Sequence, residues 1–150
     1  MKIKKLFIAA DHAGVEMKNE VINFIKKAND FEIKDFGTSS SETSVDYPDY
    51  AKLVAEAVVT TPNSFGILIC GTGFGMAIAA NKINGIRATA IAKPEMAALA
   101  VEHNNINVLC LSARFIDKNT NFNIVQHVLA ATFLGDRHTR RIDKITKLEE

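Results

Sequence analysis

Five short strand-like segments alternate with segments of helical spacing along this 150-residue chain. That alternation restricts the possible folds more than any other feature. Leu6 to Ala10 is a continuous apolar run, as expected of a strand buried on both faces. Met17, Val21, Phe24, Ile25 and Ala28 then fall at helical spacing, and Phe31 to Phe36 alternates as a second strand. Gly37 to Asp46 is rich in Ser and Thr and reads as a loop. Tyr47, Tyr50, Ala51, Val54, Ala57 and Val58 form one face of a helix, with Pro48 tolerated in its first turn. Phe65 to Cys70 is a third strand, followed by a glycine-rich turn and an alanine-rich helix. Ile86 to Ala92 reads as a fourth strand, and Pro94 opens a helix carrying Met96, Leu99, Ala100 and His103. Val108 to Leu111 is a fifth strand. Phe122, Val125, Leu129 and Phe133 mark another helix with Gly135 as its stop, and Arg137 to Leu148 is a helical tail. Strict alternation with apolar strands predicts a three-layer α/β/α fold: a five-stranded parallel sheet covered on both faces, plus a C-terminal helix. The length suits one domain over residues 1–150.

Ligands of such sheets bind beyond the carboxyl ends of the strands. The positions to inspect are therefore Asp11 and His12, Gly37 and Thr38, Cys70 to Gly75, Lys93, and Ser112 to Arg114. A net charge of +1 argues against a general nucleic-acid or membrane-surface binder, so any basic site must be local. The basic N-terminal segment runs straight into a strand with no signal-peptide pattern, and no apolar run is long enough to span a bilayer. Cys70 and Cys110 form no C-x-x-C pair, so reduced thiols in a cytoplasmic protein are the expectation.

Cys70-Gly71-Thr72-Gly73-Phe74-Gly75 is the strongest local signal. Three glycines between a strand and a helix let the backbone approach a ligand closely, and their amides can form an anion-binding nest. The dinucleotide fingerprint does not fit, because Met76 stands where its third glycine belongs. The P-loop pattern fails too, since no Gly-Lys-Ser/Thr follows. Cys70, at the mouth of the loop, suits a base or nucleophile, but cysteine is also a common small core residue. Cys110 has no glycine nest beside it and reads as buried. Asp11 can serve as a helix cap, and His12 beside it could face a phosphate. His103 falls on the apolar period of its helix, as a core histidine would, yet lies close to that helix's end. Arg137, His138, Arg140 and Arg141 are the one notable cationic cluster. Arg137 and Arg141 share a helical face, which suits a phosphate as well as a solvated basic turn.

Taken together, these residues resemble one family over nearly the whole chain: the type B ribose-5-phosphate isomerases, which group with the galactose-6-phosphate isomerase subunits. The matching stretches are Asp11-His-Ala-Gly14, Gly37-Thr38, Asp46-Tyr-Pro48, Cys70 to Gly75, Asn81-Lys82, Gly85-Ile-Arg87, His103-Asn104, Asn107-Val-Leu109, Ser112-Ala-Arg114, and Arg137-His138 with Arg141. The resemblance implies a Rossmann-like sheet, a homodimer or dimer of dimers, no metal, no cofactor, and a place in the non-oxidative pentose phosphate pathway. It implies that Cys70 removes the proton beside the carbonyl and that Thr72 helps move protons between the sugar oxygens. His103 with Asp11 matches residues assigned to ring opening. The amides of Gly71, Thr72, Gly73, Phe74 and Gly75 match the hole for the enediolate. Asn104 matches a hydroxyl contact, and His12, Arg114, Arg137 and Arg141 match phosphate and substrate contacts. The resemblance also implies that Tyr47 and His138 are members of the site.

The departures from the family pattern are small. Ala10 stands where relatives often have cysteine, and the loop from Ser39 to Val45 is slightly longer than usual. Such a loop could reshape the pocket rim, so a six-carbon substrate such as allose or galactose 6-phosphate is the close alternative. The paired-subunit galactose-6-phosphate isomerases tend to lose either the glycine loop or the His-Asn and Arg-His pieces, whereas this chain has all of them. A non-catalytic phosphate- or nucleotide-binding module would also need the glycine loop, but Asp11, Cys70 and His103 count against it. Redox chemistry at Cys70 and Cys110 lacks a resolving-cysteine spacing.

Overall fold

The computed structural model describes residues 2–28 and 30–150. Met1, where the basic N-terminal segment begins, lies outside them. The strands are β1 (Lys5–Ala10), β2 (Glu32–Asp35), β3 (Ser64–Cys70), β4 (Ala88–Ala90) and β5 (Val108–Ser112). All pair in parallel, in the order β2-β1-β3-β5-β4. The helices are α1 (Val15–Ala28), α2 (Tyr47–Thr60), α3 (Phe74–Ala80), α4 (Pro94–Asn104), α5 (Lys118–Ala130) and α6 (Arg137–Thr146). A short 3-10 turn, His12–Gly14, leads into α1, and another, Lys147–Glu149, follows α6. Among the described residues, no helix is long and apolar enough to cross a membrane.

The period of two along each strand divides the core into two layers. Leu6, Ile8, Ile67, Ile69, Leu109 and Leu111 pack with Val21 and Ile25 of α1, Ala97 of α4 and Ile124 of α5. Phe7, Ala9, Leu68, Cys70, Val108 and Cys110 point the other way, onto Val54 of α2 and Met76 of α3. The expected three layers are therefore present. The central strands β1 and β3 are buried almost throughout, which is why their sequences read as unbroken apolar runs.

Three expectations need correction. The fourth strand is only Ala88–Ala90, not Ile86 to Ala92. Before it, the Arg87 amide donates to the side chain of Asn107 instead of a neighbouring strand (2.8 Å). On the strand's open side, Asn81 donates to the Ala88 carbonyl and accepts from the Ala88 amide, both at 2.8 Å. The helix expected to reach Gly135 stops at Ala130, because Ala131 turns to an extended backbone. Phe133 thus lies outside any helix, and Gly135, at φ 71°, belongs to the turn into α6. The apolar stripe read on α4 is not the face its own chain buries. Ala97 and Val101 face the core, while Met96 and Leu99 are exposed.

One buried charge was not foreseen. Lys18 lies on the inward stripe of α1 and is 1% exposed. Its ammonium donates to both oxygens of Asp35 (2.8 and 2.9 Å) and to the Thr38 carbonyl (2.8 Å). All three of its protons are used, which is the condition for holding a charge out of water. Its signal in the sequence was a lysine at helical register with Val15, Val21, Ile22 and Ile25.

Candidate active site

Seven of the predicted side chains and the glycine loop gather at the carboxyl edge of the sheet or next to it. Asp11 follows β1, and its Oδ1 accepts from the amides of Ala13 (3.0 Å) and Gly14 (3.2 Å). It is therefore a cap, as its position suggested, and among the described residues Oδ2 has no donor. His12 accepts a hydrogen bond on Nδ1 from the Val45 amide (3.2 Å). With Nδ1 an acceptor, the ring proton sits on Nε2, so the free nitrogen of His12 is a donor. The Ser-rich loop before α2 thus fixes the state of a site residue.

Cys70 ends β3 and is 5% exposed. Its sulfur accepts from the Gly73 amide at 3.1 Å. That curl requires Gly73 at φ 82°, and a β-carbon there would stand 3.2 Å from the Leu111 carbonyl. Thr72 Oγ1 accepts from the Phe74 amide (3.2 Å). Among the described residues, no protein acceptor faces the amides of Gly71, Thr72 and Gly75. The loop therefore offers a row of unpaired donors beside the thiol. Tyr47 closes one side: a β-carbon on Gly75 would lie 2.7 Å from its ring. Arg114 closes another, its side chain about as near to Gly71 as a β-carbon there would permit (3.3 Å). An apolar cavity of about 340 Å³ lies beside the loop, lined by Thr72, Phe74, Ile91, Phe115 and Ile116 among others.

The remaining predicted residues form a second group elsewhere. In a parallel sheet α4 runs from the carboxyl edge back to the amino edge, so its last residues, His103 and Asn104, lie at the far end from Cys70. Eleven residues of helix separate those ends by roughly 16 Å. The Leu134 amide donates to the Glu102 carbonyl (3.1 Å), which brings the start of α6 to the same place. There the rings of His103 and His138 stack at 4.4 Å, and Arg141 reaches His138 Nδ1 at 3.5 Å. Arg137 and Arg141 add two guanidinium groups to this cluster. One chain alone therefore does not bring His103, Asn104, Arg137, His138 and Arg141 to Cys70. A groove of about 930 Å³ starts near Asn104 and runs between β4, α4 and α6, lined in part by Met96, Leu99, Ile145 and Leu148.

The electrostatics separate the two thiols and mark one histidine. Burial, and then the nearby Cys70, push the Cys110 thiol far above the ordinary range, so it is inert. Burial chiefly, then His103, Arg137 and Arg141, hold His138 below the usual histidine range despite Asp136. His138 is thus neutral at neutral pH and can stack on His103.

Ser112 stands just after the fifth apolar run and in the Ser112-Ala-Arg114 stretch, with no role of its own in the sequence reading, and its hydroxyl donates to the Gly71 carbonyl at 2.7 Å. A hydroxyl immediately after a buried apolar strand, two residues before Arg114, was the available signal.

Comparison with known proteins shows the family. The profile of the Ribose/Galactose Isomerase family matches residues 6–145. A probable ribose-5-phosphate isomerase B of Mycoplasma pneumoniae is 44% identical over 144 residues, which is 96% of this chain and 94% of that protein. The crystal structure of ribose-5-phosphate isomerase B from Mycoplasma genitalium, with ribulose-5-phosphate bound, superposes with a TM-score of 0.93 at 43% identity, covering 99% of this chain and 98% of that one. The Thermotoga maritima ribose 5-phosphate isomerase structure gives 0.91 at 48% identity, covering 96% and 98%. A match of this extent, on a chain that keeps the glycine loop and both groups of polar residues, places the protein in the ribose/galactose isomerase family.

Proposed function

We propose that this protein interconverts ribose 5-phosphate and ribulose 5-phosphate through an enediolate, as a homodimer whose sites are each shared by two chains. The observation that carries the reaction is the likeness, over 99% of the chain, to a structure holding ribulose-5-phosphate. In this reading Cys70 removes the proton from C2 of the open-chain aldose, and the electron pair moves onto the carbonyl oxygen. The free amides of Gly71, Thr72 and Gly75 take the resulting charge, each such donor being worth roughly 3 kcal/mol in comparable sites, whereas the Gly73 and Phe74 amides, expected to join them, are spent on Cys70 and Thr72. Cys70 then returns a proton to C1, while Thr72 passes the hydroxyl proton between O1 and O2. The hydrogen moves within one molecule, so the step needs no redox partner. Asp11 and His103 open the furanose ring, Asn104 holds a hydroxyl, and Tyr47 and His138 border the sugar. His12, through its Nε2–H, joins Arg114, Arg137 and Arg141 around the charged groups, supplying remote binding energy.

The shared site follows from the separation of the two groups. A small sugar phosphate cannot span the length of α4, so a second copy must bring its His103, Asn104, Arg137 and Arg141 to Cys70. The stripe of Met96, Leu99, Ala100 and His103 supports this, because it is one helical face and its large apolar members are exposed. Phe74 and Phe115, 66% and 75% exposed beside the loop, offer the matching surface. A phosphorylated substrate, which does not cross membranes unaided, supports a cytoplasmic location.

Turnover of ribose 5-phosphate by the purified protein tests the reaction, with Cys70→Ala expected to lower kcat by about 10²–10⁴-fold. Full activity in Cys70→Ala would remove the assigned base. A higher kcat/KM for allose or galactose 6-phosphate than for ribose 5-phosphate would replace the five-carbon substrate.

A further inference from the structure

Ser112 ends β5 opposite Cys70. Its hydroxyl donates to the Gly71 carbonyl (2.7 Å) and accepts from the Phe115 amide (3.1 Å). The Arg114 amide donates to the same Gly71 carbonyl (3.1 Å). Behind it, the fully buried Asn121 donates through Nδ2 to the carbonyls of Ser112 (3.0 Å) and Ile116 (3.3 Å). The Gly71 carbonyl is therefore held toward the β5 end by two donors, one of them a side chain that is itself anchored.

In a trans peptide the carbonyl and the next N–H point in opposite directions. Holding the Gly71 carbonyl toward β5 thus turns the Thr72 N–H to the open side of the loop, where no acceptor among the described residues meets it. A peptide after glycine rotates at little steric cost. A half-turn here would replace a donor with a carbonyl oxygen facing the developing negative charge, the opposite of what an anion hole requires.

We infer that Ser112 is a positioning residue for the isomerisation, fixing the Thr72 amide as a donor to the enediolate by tethering the Gly71 carbonyl. The inference rests on the isomerase reading above. The Ser112 hydroxyl is engaged by the Gly71 carbonyl and the Phe115 amide, so it acts through one peptide plane.

Ser112→Ala and Ser112→Thr, assayed beside the unmodified protein with ribose 5-phosphate, test it. Ser112→Ala should lower kcat per folded site about three- to tenfold, the effect of losing one orienting hydrogen bond. KM should stay within about twofold, because ground-state contacts are unchanged. Ser112→Thr keeps the hydroxyl and should restore most of kcat. A purely structural serine would lower the melting temperature and the folded fraction but leave kcat per folded site alone. Unchanged kcat in folded Ser112→Ala, or equal loss in the alanine and threonine variants, overturns the tether. Should Ser112→Ala not fold, a crystal structure of the unmodified protein with a phosphorylated hydroxamate, a mimic of the enediolate, decides. The Thr72 nitrogen is expected within about 3.2 Å of a hydroxamate oxygen, with Ser112 still on the Gly71 carbonyl. A Gly71 carbonyl facing the hydroxamate overturns it. Absence of turnover in the unmodified protein would instead sink the isomerase reading, so the two failures are distinct.

Discussion

Lys18 donates to both carboxylate oxygens of Asp35 from a position almost sealed from water, whereas Asp35 remains partly open to it. The asymmetry decides which partner is costly to lose. Lys18→Met keeps the apolar stem and leaves a carboxylate that solvent can still reach, together with the unpaired Thr38 carbonyl. The expected loss is about 1–3 kcal/mol of unfolding free energy. Asp35→Asn instead leaves a buried ammonium without its counter-ion, and should cost more, about 3–5 kcal/mol. Urea unfolding of both variants checks the order, and a larger loss in Lys18→Met would contradict it.

Gly73 has two reasons to be glycine. At φ 82° a β-carbon is strained, and it would also press on the Leu111 carbonyl at 3.2 Å. Gly73→Ala should cost about 1–3 kcal/mol of stability. It should also lower kcat, because the Gly73 amide that meets Cys70 moves with the loop. Thermal unfolding and steady-state rates on one preparation check both effects. An alanine variant with native kcat would show that the loop tolerates another curl.

His138 links stability to pH. Its folded-state pKa is depressed by burial, His103, Arg137 and Arg141, so the unfolded chain binds a proton more readily than the folded one. The stability carried by the neutral ring is fully present above the ordinary histidine pKa of about 6.5 and is lost as pH falls from there through the lower folded value. His138→Gln should therefore flatten the fall in urea midpoint between about pH 7.5 and 5 relative to the unmodified protein. Parallel curves for the two proteins would contradict the assignment.

A site divided between two chains has a signature that a site within one chain lacks. Cys70→Ala and Arg141→Ala homodimers each have two damaged sites. Dissociated and reassembled in equal amounts, they should form mixed dimers in which one site is wholly native. Random pairing predicts recovery of about a quarter of native activity. No recovery, with mixed dimers verified by mass, would mean that both residues serve a site from the same chain.

The sheet and its order of elements were legible because burial on both faces leaves no polar residue to interrupt β1, β3 or β5. The glycine loop was legible because close backbone approach excludes side chains, a constraint written directly into Gly71, Gly73 and Gly75. Other features depended on partners distant in sequence. The end of α5 was obscured because Phe133 continues the apolar spacing after the backbone has turned. Met96 and Leu99 mimic a core stripe because an exposed apolar face has the same period as a buried one. The place of Ser112 after an apolar strand was legible but its role was not, since a hydroxyl shows its role only once its acceptor, Gly71, is in place. His103 and Cys70 share a family motif set but not an end of the sheet, and no spacing along one chain encodes that separation.

Asn81 has a consequence for how copies of this chain can meet. Its amide occupies both the donor and the acceptor of Ala88, on the open side of a strand only three residues long. Of that border, only the polar groups of Ala90 remain for an incoming chain to grasp. Growth by adding one molecule's sheet to the next, the route to fibrils, is closed off there by a single carboxamide. Across that border, association is left to side-chain surfaces, whose shape limits the number of copies that fit.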